Sequence, residues 1–204
     1  MRLEVEGLAA RRGGDMIFEG IRFALGAGEA MAVTGPNGAG KSTLLRVLAG
    51  FLPPAAGWAR VTNAADGAGD IAAHAHFLGP VNAMKPALTV RENLDFWRIF
   101  GDAPLLEPEE ALGRLGLDHV IDVPYSDLST GQRRRVAIAR LLLNRRTIWL
   151  LDEPTSGLDA NAEAVFAGLV GDHVAGGGIV IAATHLSIAV AGMKRLRFAE
   201  RAPA

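Results

Sequence analysis

Along the first 25 residues the apolar positions come in short alternating groups, Leu3, Val5 and Leu8, then Ile17, Phe18, Ile21, Phe23 and Leu25, with Gly13, Gly14 and Asp15 between them. A period of two broken by a glycine turn predicts two antiparallel strands. Gly26 to Glu29 lead into a third, continuously apolar strand, Ala30 to Thr34. A glycine-rich segment follows, and then leucines at helical spacing from Ser42 to Leu48. Pro53, Pro54 and Gly57 close that helix, and residues 63–70, rich in Gly, Ala and Asp, read as an exposed turn. Ile71 to Leu78 reads as a further strand.

From Thr89 the period changes. Thr89 followed by Glu92 is a capping box, and Leu94, Trp97, Ile99 and Phe100 supply the apolar face of the helix it opens. A second helix is predicted from Pro108 to Leu115, stopped by Gly116, so residues 86–125 form a helical insertion within a single domain spanning 1–204. Beyond it come a helix (131–143), a strand (147–151), a helix (160–170), a strand (179–183) and a short terminal helix. This alternation predicts an α/β fold: a mostly parallel sheet, an N-terminal antiparallel β subdomain and the helical insertion.

Composition narrows the chemistry. The 204 residues are 50% hydrophobic, with 21 basic and 22 acidic side chains, a formal charge of -1, and no cysteine. A near-neutral chain is not a general nucleic-acid binder, and thiolate metal sites, disulfides and cysteine nucleophiles are excluded. The stretch from His173 to Met193 has no Asp, Glu, Lys or Arg, but Gly176, Gly177, Gly178, Thr184, His185 and Ser187 interrupt it. It reads as a buried strand and a polar turn, not a membrane span. The first residues have no apolar run of the signal-peptide kind.

Residues 35–42, Gly35, Pro36, Asn37, Gly38, Ala39, Gly40, Lys41 and Ser42, match G-x-x-x-x-G-K-[ST] in full, with Thr43 next, and sit between a predicted strand and a predicted helix. In that setting glycines let successive N–H groups curl inward, and the helix N-terminus adds roughly half an elementary positive charge. The expected ligand is a polyphosphate. Lys41 is placed for the β and γ phosphates, and the Ser42 hydroxyl for a Mg²⁺ ion, which prefers oxygen ligands. The loop alone fits GTPases, kinases and ATPases equally.

A buried hydrophobic run, Ile148 to Leu151, ends in Asp152 and Glu153. Carboxylates at the carboxyl end of a parallel strand lie where ligands bind. Asp152 is the candidate to hold Mg²⁺ through its waters, and Glu153 the candidate general base toward the attacking water.

Leu128, Ser129, Thr130, Gly131 and Gln132 precede a basic helix that starts Arg133, Arg134, Arg135. Ser129 with Gln132 is itself a capping box, so a plain helix cap and an anion site are both open readings. With the phosphate loop and the acidic pair, this segment resembles the signature of ABC transporter nucleotide-binding subunits, usually Leu-Ser-Gly-Gly-Gln. The resemblance implies a P-loop NTPase core that binds ATP and Mg²⁺. It implies that Ser129, Gly131 and Gln132 bind the γ-phosphate of ATP held by a second copy in a head-to-tail dimer. It also implies a D-loop at Ser156 to Asp159 and a switch histidine at His185, catalytic together with Glu153.

Two family features are missing. Where a glutamine usually touches Mg²⁺ and relays the membrane partner's state, this chain has Val81, with Asn82 beside it as candidate substitute. The usual aromatic that stacks on adenine is absent near residues 11–13; Arg11 or Arg12 is the alternative stacking group, and a solvated arginine pair is the other reading. His74 and His76 alternate on the predicted strand; were haem the molecule handled they would invite a ligand role, but the better reading is that they simply share one face.

The short chain, the segment from Leu78 to Leu94, the arginine-rich signature helix, Trp149 in the acidic strand and Gly177 to Ile181 resemble the haem-exporter subfamily that serves bacterial cytochrome c biogenesis. That implies an integral-membrane permease partner met near residues 80–100, haem-handling proteins, and peripheral attachment to the cytoplasmic face of the inner membrane. The rivals are the ATPase of another small exporter, a soluble ABC ATPase acting on DNA or ribosomes, and a nucleotide-binding regulator that does not hydrolyse.

Overall fold

Two long strands open the chain, β1 (Arg2–Arg12) and β2 (Asp15–Gly26). They pair antiparallel with Leu3 opposite Leu25 and Val5 opposite Phe23, as the alternation predicts. Gly13 and Gly14 join them with φ of 59° and 93°, the double left-handed turn that matches strand twist. The computed structural model describes residues 1–63, 69–101, 103–184 and 192–199.

Strand β3 (Ala30–Thr34) runs into helix α1 (Lys41–Leu48) through the glycine-rich loop. Strand β4 (Ala56–Thr62) follows and pairs antiparallel with β1, giving a three-stranded sheet in the order β2-β1-β4. It carries little apolar alternation, only Val61 being buried, so its pattern is that of an exposed edge strand. Of the turn expected at 63–70, residues 64–68 lie outside the described residues.

Residues 71–78 do not form one strand. Ile71–His74 make a single helical turn, α2, and only Ala75–Leu78 are extended, as β5. Ile71 is buried while Ala72 and Ala73 are exposed, and Ala72 lies against Gly50, a packing that a continuous strand would lose. His74 and His76 therefore belong to different elements and share no strand face.

Helix α3 (Val90–Phe100) starts at the expected capping box: Glu92 N–H donates to Thr89 Oγ1 at 3.1 Å, and Thr89 N–H donates to Glu92 Oε2 at 2.8 Å. Its predicted apolar face is only half right. Leu94 is fully buried and Trp97 half-buried, but Ile99 and Phe100 are 78% and 74% exposed. The inward face is completed by Val90 and by Asn93, whose amide holds the preceding loop through Lys85 N–H and the Lys85 and Thr89 carbonyls.

Then come α4 (Pro108–Gly113), α5 (Thr130–Leu143), β6 (Ile148–Asp152), α6 (Ala160–Ala175), β7 (Ile179–Ala183) and β8 (Lys194–Arg197). Helix α6 runs five residues past its expected end. The short terminal helix expected after residue 183 falls largely outside the described residues; within them β8 pairs parallel with β3. The second sheet has the order β5-β6-β7-β3-β8, with β6 on β7 and β7 on β3 parallel.

The chain divides into two compact units. One contains Met1–Phe77, Thr147–Glu153 and the described chain from Val170 on. Its core joins Leu3, Leu8 and Leu25 of the antiparallel sheet, Leu44, Leu45 and Leu48 of α1, and Leu150, Ile179 and Ile181 of the parallel sheet. The other contains Leu78–Arg146 and Pro154–Leu169, and the segment 86–125 lies wholly inside it. There α3 and α4 pack on α5. The Arg140 guanidinium lies 4.5 Å from the Trp97 ring centroid, and burial lowers its pKa to about 10. Arg91 clamps the outer surface by pairing with Asp122 at 3.0 Å and with Glu109.

Candidate functional site

The loop between β3 and α1 is shaped by glycines. Gly35, Gly38 and Gly40 have φ of 143°, 78° and 109°. A Cβ on Gly40 would come within 2.7 Å of Ile17 Cγ2, and one on Gly35 within 2.7 Å of the Phe198 carbonyl oxygen, so neither position tolerates a side chain. Gly40 is the N-cap of α1 and makes no side-chain cap, so the N–H groups of the first turn are available to an anion. Lys41, 7% exposed, donates through Nζ to the carbonyls of Gly35 (2.8 Å) and Pro36 (3.0 Å). Its charge is thus held over the loop. Pro36, Asn37 and Gly38 are exposed, whereas Ala39 and Thr43 are buried.

Ser42 Oγ donates to Asp152 Oδ1 at 2.8 Å. Asp152 ends β6 at 2% exposure, so the parallel sheet brings a hydroxyl and a carboxylate together from positions 110 residues apart. Two hard oxygen donors fit Mg²⁺, which takes few protein ligands and completes its shell with water and phosphate oxygens. No group of three or more His, Cys, Asp or Glu able to hold a metal occurs among the described residues.

Glu153 is half-buried and donates its N–H to the Ala183 carbonyl at 2.8 Å. Its φ is 45°, a left-handed conformation that costs a non-glycine residue roughly 1–2 kcal/mol. Thr184, 1% exposed, follows β7; the expected switch residue, His185, lies outside the described residues.

In the second unit Ser129 caps α5. Gln132 N–H donates to Ser129 Oγ (3.2 Å) and Ser129 N–H donates to Gln132 Oε1 (2.9 Å), so both side chains are engaged in the capping box. A Cβ on Gly131 would stand 3.3 Å from the Gly157 carbonyl oxygen, which sets the signature turn against the D-loop segment. Asp159 accepts from Ala162 N–H at 2.8 Å and so caps α6. Arg11 and Arg12 are exposed at the end of β1, paired with Met16 and Asp15. Val81 is 78% exposed, and Asn82 is turned inward, donating to Tyr125 Oη at 3.0 Å and accepting from Arg134 Nη1 at 3.1 Å.

Sequence reasoning passed over Arg134, which read as one of a basic run. Successive helical residues turn by about 100°, so three arginines in a row cannot all face water on a helix buried along one side. Arg134 is the one that turns in, at 4% exposure.

A glycine-built loop at the head of a helix, with a buried carboxylate bonded to the serine beside it, defines a P-loop NTPase core. The ABC transporter family profile matches residues 18–156. The chain is 51% identical over 197 residues to the "Cytochrome c biogenesis ATP-binding export protein CcmA" of Chelativorans sp. (strain BNC1), covering 97% of this chain and 98% of that one. It is 54% identical over 192 residues to the protein of the same name in Mesorhizobium japonicum, covering 94% and 96%. Among solved structures it superposes on a putative ABC transporter ATP-binding protein from Pyrococcus furiosus with a TM-score of 0.81 at 21% identity, over 97% of this chain and 98% of that chain. It also superposes on a dimeric ATP-binding cassette in a post-hydrolysis state bound to ADP and Pi, with a TM-score of 0.76 at 24% identity, over 90% and 88% of the two chains. The chain belongs to the ABC transporter ATP-binding family, and it is an ATPase. No helix among the described residues is long and apolar enough to cross a membrane.

Proposed function

We propose that this chain is the ATP-hydrolysing subunit of a transporter that energises haem export or haem-chaperone handling in c-type cytochrome biogenesis. The names of relatives about half identical over nearly the whole chain support the pathway. The observation that carries the chemistry is the Ser42–Asp152 hydrogen bond, which aligns the phosphate loop with the acidic strand end.

In this reading residues 35–43 receive the triphosphate, the loop N–H groups and the Lys41 ammonium meeting its oxygens. Ser42 and Asp152 would hold Mg²⁺, which supplies charge neutralisation at the phosphate oxygens when bound. Glu153 accepts a proton from the attacking water through its side-chain carboxylate, and His185 contacts the γ-phosphate. Arg11 stacks on adenine. Ser129, Gly131, Gln132 and Asp159 of one copy act on the ATP of another, so the working unit is a head-to-tail dimer. The permease partner meets the second unit, where Val81, Phe96, Ile99 and Phe100 leave apolar surface exposed. Haem-handling proteins join through that permease, nucleic acid has no part, and attachment is peripheral on the cytoplasmic side of the inner membrane.

Glu153→Gln tests the reading. It removes the proton acceptor while keeping the shape, so turnover should fall at least about a hundredfold while ATP binding is unchanged. Wild-type turnover in this variant would refute the assignment.

A further inference from the structure

Arg134 is a buried guanidinium whose hydrogen bonds join segments far apart in sequence. Its Nε donates to the Pro154 carbonyl at 2.9 Å, and its Nη1 donates to the Gly79 carbonyl at 2.7 Å and to Asn82 Oδ1 at 3.1 Å. One rigid planar fork on α5 therefore holds both the loop that follows β5 and the turn that follows β6. A buried charge is costly unless its donors are satisfied, and an apolar side chain of similar volume would fill the space more cheaply. What the guanidinium adds is fixed geometry between the two loops.

The two ends of this link differ in character. At one end the loop 79–82 is anchored inward through Gly79 and Asn82, and Asn82 is itself held by Tyr125, while Val81 between them stands out at 78% exposure. At the other end Pro154 follows Glu153 directly. Glu153 has a left-handed φ of 45° and the proline ring fixes the φ of the next residue. The guanidinium is thus the shared hydrogen-bond partner of the loop beside Val81 and of the Pro154 carbonyl, one residue past Glu153.

We infer that Arg134 is a positioning residue that couples the loop 79–82 to Glu153, doing with Asn82 the linking task for which this chain has no glutamine. The inference rests on the proposed reading that this loop faces the membrane partner. Because Arg134 acts through Glu153, its loss alters turnover and its response to the partner more than nucleotide affinity.

The test uses the purified complex with its membrane partner alongside the free subunit. Arg134→Lys keeps the charge and loses the fork. It should lower kcat in the complex about tenfold with KM for ATP changed less than about twofold, and bring the ratio of complexed to free turnover toward one. Asn82→Leu should reduce that ratio in the same direction, and Asn82→Asp, which keeps an acceptor for Arg134, should restore it. If Arg134→Lys does not fold, the Asn82 pair decides alone. Full partner response in Asn82→Leu, or a KM rise that matches the kcat loss in Arg134→Lys, overturns the inference. Failure of Glu153→Gln to abolish turnover would instead bring down the functional reading beneath it.

Discussion

The indole of Trp149 lies flat against the imidazole of His173, with ring centroids 4.1 Å apart and planes within 10°. Trp149 comes from the middle of β6 and His173 from the last turn of α6, so the stack ties the end of the helix to the sheet. A Cβ on Gly178 would lie 2.3 Å from His173 Nε2, so the ring fills the space that this glycine leaves open.

Burial of His173 makes stability depend on pH. Burial lowers the His173 pKa to about 4, below the unfolded value of about 6.5, so the folded protein favours the neutral ring. The contribution is fully present above pH 6.5 and is lost as the pH falls toward 4. Denaturant unfolding of wild type should weaken between pH 7 and pH 4 by more than that of His173→Phe, which stacks without titrating. Parallel pH profiles for the two proteins would count against the assignment.

Ser129 separates two roles by charge. Ser129→Ala removes the α5 cap and should cost about 1 kcal/mol of stability. Ser129→Asp caps as well as serine does and should recover that stability. If Ser129 also meets the γ-phosphate across a dimer, the added carboxylate repels it, and turnover should stay at least about tenfold low despite the restored melting temperature. Recovery of both would leave Ser129 as a cap alone.

Glu153 trades stability for position. Glu153→Gly relieves the left-handed strain at φ 45° and should raise stability by about 1 kcal/mol, or about 2–4 °C in Tm, while turnover is lost. Glu153→Ala loses turnover too but keeps the strain, so its Tm should not rise as far. Equal Tm values for the two variants would show that the conformation carries no strain.

The sequence by itself determined the elements whose local pattern is strong: the β1–β2 hairpin with its paired glycines, strands β3 and β7 as continuous apolar runs, and the capping boxes that open α3 and α5. It also singled out Lys41 and Ser42, because a glycine-rich loop with Lys-Ser at its end has a fixed spacing along one short segment, and Asp152 and Glu153, because they end a continuous apolar run. Tertiary structure alone decided the rest. Strand β4 is too exposed to show a period, and β8 (Lys-Arg-Leu-Arg) reads as polar until β3 supplies its partner. Ile71 becomes helical because one turn buries it, and Ile99 and Phe100 stand outside a core that Asn93 enters. The Ser42–Asp152 bond spans 110 residues, and the Arg134 fork spans 20 and 55. Local pattern records which way a segment turns in its own frame, while contacts over such separations exist only once the sheet and helices have packed, and they decide which residues meet.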